Sequence, residues 1–130
     1  MLTASFKTRT LVVLAAALLA LPALAHHSFA IFDFQTQIPF EGTVETLKFR
    51  NPHIEMTLKT VDPDGNEQIV RFIEGAPANM LVRSGLRPDM IAPGTHIIAT
   101  GSPLIEDSAL DPGEVRYFLR LIRLDDGKEF

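Results

Sequence analysis

The amino-acid sequence predicts a small, mainly β domain, a barrel of five strands with one short helix, behind an N-terminal signal peptide. Three observations predict this class. The first 25 residues of the 130-residue chain differ sharply in composition from the rest. Beyond them, apolar and polar side chains alternate over several short segments, as they do in half-buried strands. One segment in the middle of the chain, residues 76–84, breaks that alternation.

Residues 1–25 have the three parts of a secretory signal peptide. A start with two basic residues and no acid precedes an unbroken apolar run, residues 11–25, which ends in small residues. This run is shorter than the ~20 residues that a membrane-spanning helix needs, and the chain has no cysteine to carry a lipid. We therefore expect cleavage after Ala25, a single periplasmic domain of residues 26–130, and no stable membrane anchor.

The first three strands of the domain follow from β-favouring and alternating segments. Residues 38–49 favour a strand, which Gly42 interrupts at a bulge or a sharp bend. Residues 54–59 alternate apolar and polar side chains, residues 62–66 are dense in turn-forming types, and residues 68–74 return as a strand. The second and third strands therefore form a hairpin.

The remaining elements are one short helix and two strands. Residues 76–84 predict a helix of about two turns. A proline is in place for its first turn, and the glycine that follows the segment would end the helix. Residues 88–93 form a compact connection, residues 95–100 a strand between two glycines, and residues 104–113 a polar loop. Residues 115–124 form the last strand.

Alternation assigns the side chains of the last strand to two faces, with one face holding Val115, Tyr117, Leu119 and Leu121. Three early strands, a helix and two late strands are the element order of an OB-type five-stranded barrel. A small sandwich or a roll would give a similar string of elements. The fold class expected is the OB-like barrel.

Charge and composition exclude several classes of function. The chain has 12 basic and 16 acidic residues, and removal of residues 1–25 takes away two of the basic ones. An acidic exported chain is a poor nucleic-acid binder, because phosphate neutralisation dominates that affinity. Without cysteine there is no disulfide, thiolate metal site or cysteine nucleophile. No hydrolase elbow, phosphate loop or zinc-protease helix is present, so we expect no enzyme.

The expected mature N-terminus is the most informative feature for function. After cleavage, His26 would carry a free α-amine beside its imidazole, and His27 would follow it directly. Amine and imidazole nitrogens of this kind chelate Cu(II), the strongest divalent binder in the Irving–Williams order. His53, held behind a proline, is the natural third donor. The predicted ligands are therefore His26, His27 and His53, with copper as the expected ion and zinc as the competitor.

Such a protein would bind or deliver metal and would not turn over a substrate. Protons compete with metal for histidine, which titrates near ~6.5, and for the α-amine, near ~7.7–8.0. Metal affinity should therefore rise from about pH 5 to about pH 8.

Three alternatives compete with this interpretation. The histidines are incidental if they are exposed, disordered residues with only adventitious metal affinity, and cleavage at another residue would remove or change the chelate. The domain is an interaction module for a periplasmic protein, peptide or glycan if it uses a barrel face as other OB-type domains do. The third alternative is a copper oxidase built on a histidine brace, against which the small size argues. The sequence does not set the oligomeric state.

Other conspicuous residues have structural interpretations. Phe29, Phe32 and Phe34 are expected to pin the N-terminal arm onto the barrel, which would hold the histidines in a fixed geometry. His96 is expected to be a surface histidine on a strand.

Several short motifs resemble those of one family. They are His26-His27-Ser28-Phe29-Ala30, Phe32-Asp33, Gly42-Thr43-Val44, Asn51-Pro52-His53, Asp64-Gly65, Leu81-x-Arg83-x-Gly85 and Pro93-Gly94. Together they resemble a family of small exported proteobacterial proteins known as a domain of unknown function, over residues 26–124. The resemblance implies an OB-type barrel, export and cleavage at this site. It also implies histidines at positions 26, 27 and 53, which favours a shared metal site.

Overall fold

The computed structural model describes residues 31–105 and 114–130, and at residues 114 and 115 it describes the backbone alone. The predicted signal peptide, its expected cleavage site and residues 106–113 of the predicted polar loop lie outside the described residues. The fold below is that of the compact unit Phe32–Phe130. None of the helices in the described part of the chain is long and apolar enough to cross a membrane.

Five strands form one closed barrel in the order β1-β2-β3-β5-β4. The elements are β1 (Ile38–Lys48), β2 (Glu55–Val61), β3 (Glu67–Glu74), α1 (Ala78–Arg83), a 3-10 helix (Pro88–Ile91), β4 (His96–Pro103) and β5 (Glu114–Leu124). All neighbouring strands are antiparallel except β3 and β5, which are parallel. The structure thus confirms the five-stranded OB-type barrel and the single short α-helix. The strand β2 ends two residues later than predicted, and β4 ends three residues later than predicted.

The barrel interior is filled by one side chain in two from each strand, as the alternation predicts. The core residues of the strands and their flanks are Val44, Ile54, Met56, Leu58, Val70, Phe72, Ile97, Ala99, Tyr117, Leu119 and Ile122. Ala78 and Leu81 of α1, with Leu86 and Ile91 after it, belong to the same cluster. Each large aliphatic side chain buried in this way contributes about 1.5–3 kcal/mol relative to its exposed state.

Gly42 lies in the segment of β1 that pairs with strands on both sides. It is paired with Thr60 of β2 on one side and with Ile97 of β4 on the other. A Cβ at this position would overlap the carbonyl oxygen of Lys59, so only glycine allows the strands to approach this closely. The irregularity in the β1–β2 pairing lies two residues further along, between Val44 and Thr46.

The predicted faces of β5 hold for its first half only. Tyr117 and Leu119 are buried, but Ile122 is buried in place of Leu121. The pairing with β4 skips Arg120, because Thr100 is opposite Leu121 and Gly101 is opposite Leu119. This bulge adds one residue to β5 and reverses its alternation. The expectation that Leu121 shares the inner face was therefore wrong.

Candidate functional site

The Asn51-Pro52-His53 motif lies in the loop between β1 and β2, against the start of α1. The Asn51–Pro52 peptide bond is cis. The side-chain oxygen of Asn51 accepts a hydrogen bond of 3.2 Å from the backbone N–H of Asn79. The first turn of α1 has no side-chain cap from its own N-cap residue, Pro77. Asn51 therefore satisfies one of the unpaired N–H groups of the helix from a distant part of the chain.

His53 is held by the backbone that follows β3. Its Nδ1 lies 2.9 Å from the carbonyl oxygen of Gly75. A carbonyl oxygen only accepts, so Nδ1 carries the proton and donates it. The next residue, Ile54, donates its backbone N–H to the carbonyl of Ala76 over 3.3 Å. The first bond orients the imidazole of His53, and the second holds the backbone next to it against the segment that follows β3.

Glu74 is the side chain on the Nε2 side of His53. Its Oε1 lies 3.3 Å from Nε2, and the side chains of His53 and Glu74 are 29% and 14% exposed. The sequence analysis missed Glu74. Alternation from Val70 and Phe72 assigns Glu74, at the end of the same strand, to the core. A charged residue at a position assigned to the core was the one sign in the sequence that could have identified it.

A β-bulge turns Glu74 to the outer face. In the pairing of β3 with β5, Phe72 is opposite Tyr117, yet Glu74 is opposite Phe118, the very next residue of β5. The skipped residue is Ile73. Paired residues share a face of the sheet, so Glu74 lies on the same side as Phe118, outside the barrel.

His53 and Glu74 line a surface cleft of about 270 Å³. Its walls are Arg50, Asn51, Pro52, His53, Glu55, Ile73 and Glu74. Glu55 is already neutralised there, because Lys48 contacts it at 2.7 Å and Arg50 at 3.1 Å. The hydrogen bond from Lys48, followed by that from Arg50, lowers the pKa of Glu55.

The structure describes only one of the three predicted metal ligands. His26 and His27 lie outside the described residues, and His53 occupies the cleft. Within residues 31–105 and 114–130, no three histidine or acidic side chains gather as a metal site. The side chains of His53 and Glu74 contact each other at one edge of this cleft.

The N-terminal arm is pinned by aromatic packing, as predicted for Phe32 and Phe34; Phe29 lies outside the described residues. Phe32 is only 3% exposed. The rings of Phe32 and Phe34 pack edge-on against Phe118, with centroids at 5.4 and 5.2 Å. Phe118 is the residue paired with Glu74. The arm is therefore attached at the strand position next to the cleft.

His96 is an exposed strand histidine, as expected. Its Nδ1 lies 2.8 Å from Oδ1 of Asp125, and its Nε2 lies 3.5 Å from Oε1 of Glu41. The hydrogen bond to Asp125, with a weaker contribution from the charge of Glu41, raises the pKa of His96. Its two nitrogens face different carboxylates on opposite sides of the ring, so these groups do not converge on one point.

A second surface feature is an apolar groove of about 250 Å³ between α1 and β5. It is lined by Ala76, Met80, Leu81, Ser84, Leu119, Arg120, Leu121, Ile122 and Phe130. Met80 is 62% exposed, although the outer face of a surface helix is usually polar. The guanidinium of Arg120 lies at the rim, 5.0 Å above the ring of Phe34.

Comparison with known proteins identifies a family. The model of a family of unknown function, DUF6152, matches residues 13–110. This range includes the Asn51-Pro52-His53 motif, Glu74 and the two histidines at the expected mature N-terminus. No curated protein and no solved structure shows significant similarity to the chain. Since the matched range covers most of the 130 residues, the chain belongs to DUF6152, a family of unknown function.

Proposed function

We propose that this protein is an exported, non-enzymatic metal-binding protein that binds or delivers copper, with zinc as the competing ion. The observation that carries the proposal is the orientation of His53. Its Nδ1–H is bonded to the carbonyl of Gly75 at 2.9 Å, so Nε2 is the ring nitrogen that would bind the ion. Histidines that bind metal typically donate their other ring N–H to a carbonyl or carboxylate in this way.

The remaining donors of the proposed site come from the sequence. A mature chain that starts at His26 supplies an amine and an imidazole, and His27 supplies a second imidazole. Nitrogen-rich sets suit Cu(II). Phe32 anchors the arm beside Phe118, and His27 lies five positions before it in the sequence.

The test is Cu(II) titration with electron paramagnetic resonance on protein produced by export and shown by mass to start at His26. The matched control is the same chain with one additional N-terminal residue, which moves the α-amine away from the His26 imidazole. We expect one tight copper site per chain with nitrogen couplings, weakened in the extended control. Weak binding that is indifferent to the extension would refute the N-terminal ligands.

A second candidate function is an interaction module, which the apolar groove between α1 and β5 favours. Met80 is exposed there, and methionine is common at adaptable binding surfaces. Arg120 at the rim makes no ion pair with another described residue. This combination fits a protein segment that carries a bulky apolar side chain next to a carboxylate.

The groove is tested with two capped synthetic peptides, one with leucines flanked by glutamates and one with the same leucines flanked by lysines. We expect the acidic peptide alone to shift the Met80 methyl resonance, and the variant Met80→Lys to abolish its binding. Equal binding of both peptides, or shifts elsewhere on the barrel, would refute this partner chemistry.

A further inference from the structure

We infer that Met80 is a reversible oxidation site, and that its sulfoxide switches off ligand binding in the apolar groove between α1 and β5. This inference rests on the second candidate function, the interaction module, and adds its regulation. It concerns the thioether sulfur of Met80, whereas docking uses the side chain as an apolar surface.

The three methionines of residues 26–130 occupy three different environments. Met80 is 62% exposed, as much as any large apolar side chain in the described part of the chain. Met90 is half-buried, and its sulfur accepts the backbone N–H of Arg87 at 3.4 Å. Met56 is 1% exposed and belongs to the barrel core. An oxidant dissolved in water therefore reaches the sulfur of Met80 more readily than the other two.

The reaction is the transfer of one oxygen atom from a peroxide to the sulfur. A lone pair of the sulfur attacks one oxygen of hydrogen peroxide, the O–O bond breaks, and the sulfur is oxidised by two electrons. The second oxygen leaves as hydroxide and takes the proton of the transferred hydroxyl, so the peroxide is reduced to water. A methionine sulfoxide reductase reverses the change, and the dithiol that supplies the two electrons becomes a disulfide as water is released.

The surroundings of Met80 make the added oxygen unfavourable for binding. Two of the residues that line the groove have polar side chains, Ser84 and Arg120. The hydroxyl of Ser84 already donates to the carbonyl oxygen of Leu81 at 2.7 Å. Without a donor, the sulfoxide oxygen would be buried unpaired beneath a docked apolar side chain, which costs binding free energy. With Arg120 as its donor, it would compete with the carboxylate of the partner for the same guanidinium.

Docking and oxidation should therefore exclude each other. A segment bound in the groove covers Met80 and shields its sulfur from peroxide. A sulfoxide at Met80 weakens the docking of the same segment. Because the coupling between two binding equilibria is reciprocal, protection of Met80 by the ligand and loss of ligand affinity on oxidation are two readouts of one relationship.

The experiment treats the exported protein with hydrogen peroxide and identifies the oxidised methionines by mass spectrometry. It also measures affinity for the capped peptide with leucines flanked by glutamates, before and after treatment. We expect Met80 to react first, Met90 more slowly, and Met56 not at all while the barrel is folded. Oxidation of Met80 should weaken peptide binding by about tenfold or more. Methionine sulfoxide reductase with a dithiol should restore the affinity, and saturating peptide should slow the oxidation of Met80 but not that of Met90.

Two variants separate Met80 from other sites of oxidation. For Met80→Leu, whatever its own affinity for the peptide, peroxide should leave that affinity unchanged. Met90→Leu should keep the full response to peroxide, because its Met80 is intact. Circular dichroism melting of treated and untreated protein shows whether the barrel stays folded, so that loss of the groove through unfolding is recognised and counts against the switch.

The outcomes for the switch and for the interaction module are kept apart. If the untreated protein binds the peptide, but full oxidation of Met80 leaves the affinity unchanged or Met80→Leu also loses binding on treatment, the switch is overturned and the module stands. If Met56 or Met90 reacts before Met80, the assignment of the oxidation site is overturned. If the untreated protein does not bind the peptide, the module fails and the switch fails with it.

Discussion

The Nδ1–H of His53 donates a 2.9 Å hydrogen bond to the carbonyl oxygen of Gly75, 22 residues away along the chain. This bond joins the β1–β2 loop to the segment between β3 and α1, so the backbone itself sets the direction of the imidazole. Gly75 is packed closely, since a Cβ there would lie 3.1 Å from Cβ of Leu119. The ring of His53 is therefore oriented by a rigid part of the barrel and presents Nε2 to the cleft.

Substitution of Asn51 by alanine should destabilise the domain through α1. The side chain of Asn51 accepts the backbone N–H of Asn79 at 3.2 Å, and loss of a helix-capping acceptor costs about 1 kcal/mol. Urea denaturation should show a free energy of unfolding lower by that amount. Asn79→Ala is the control, because it removes an exposed side chain at the same contact and keeps the backbone donor. Equal losses in both variants would contradict a capping role for Asn51.

Alanine substitutions at two neighbouring positions of β5 test the bulge at Arg120. Ile122 is 1% exposed and lies in the core, whereas Leu121 is half-buried on the other face. We expect Ile122→Ala to lower the free energy of unfolding by about 2–5 kcal/mol, the usual cost of such a core deletion, and Leu121→Ala to cost clearly less. A larger loss of unfolding free energy for Leu121→Ala than for Ile122→Ala would indicate that the regular alternation continues through β5, and it would contradict the bulge.

The contact between His96 and Asp125 predicts a pH-dependent contribution to stability. Asp125 and Glu41 are the carboxylates that face His96, and they raise its pKa in the folded protein above the ordinary value. A raised pKa means that the folded state binds the proton more tightly than the unfolded state. The stabilisation is therefore complete below about pH 6.5 and is lost as the pH rises through the folded-state pKa.

Comparison of the protein with its His96→Gln variant separates the pH-dependent stabilisation by His96 from any contribution of the other histidines. The free energy of unfolding should favour the unsubstituted protein more at about pH 5.5 than at about pH 8.5. The difference should be small, because His96 is an exposed residue on the barrel surface. A difference that grows with rising pH has the opposite sign and would exclude the ion pair as its cause.

The order of the elements was predictable from the sequence because it depends on local patterns. Alternation over residues 54–59 and the turn-forming residues at 62–66 predict the hairpin of β2 and β3, and both strands are present and paired. The break at residues 76–84 predicts α1. These signals act within a few residues, where side-chain periodicity and turn chemistry decide the backbone conformation.

The features that shape the site were not predictable in the same way. The bulges at Ile73 and Arg120 arise from pairing with strands distant in sequence, and each one reverses a periodicity that is locally regular. They explain why Glu74 was missed and why Leu121 was assigned to the wrong face. His53 was identified from its motif, but its partner Gly75 follows from the packing of the loop against β3. The predictions for His26 and His27 concern residues outside the described part of the chain and stay predictions.

The most direct test of metal binding through His53 is a competition titration of Cu(II) and Zn(II) on the exported protein and two single variants, His53→Ala and His96→Ala. Both variants lose one imidazole, but only His53 has its Nδ1–H fixed by a backbone carbonyl at the cleft. Loss of this ligand should lower the affinity for both ions by about tenfold or more, while His96→Ala should match the unsubstituted protein. Equal affinities in all three proteins would contradict a metal site at His53.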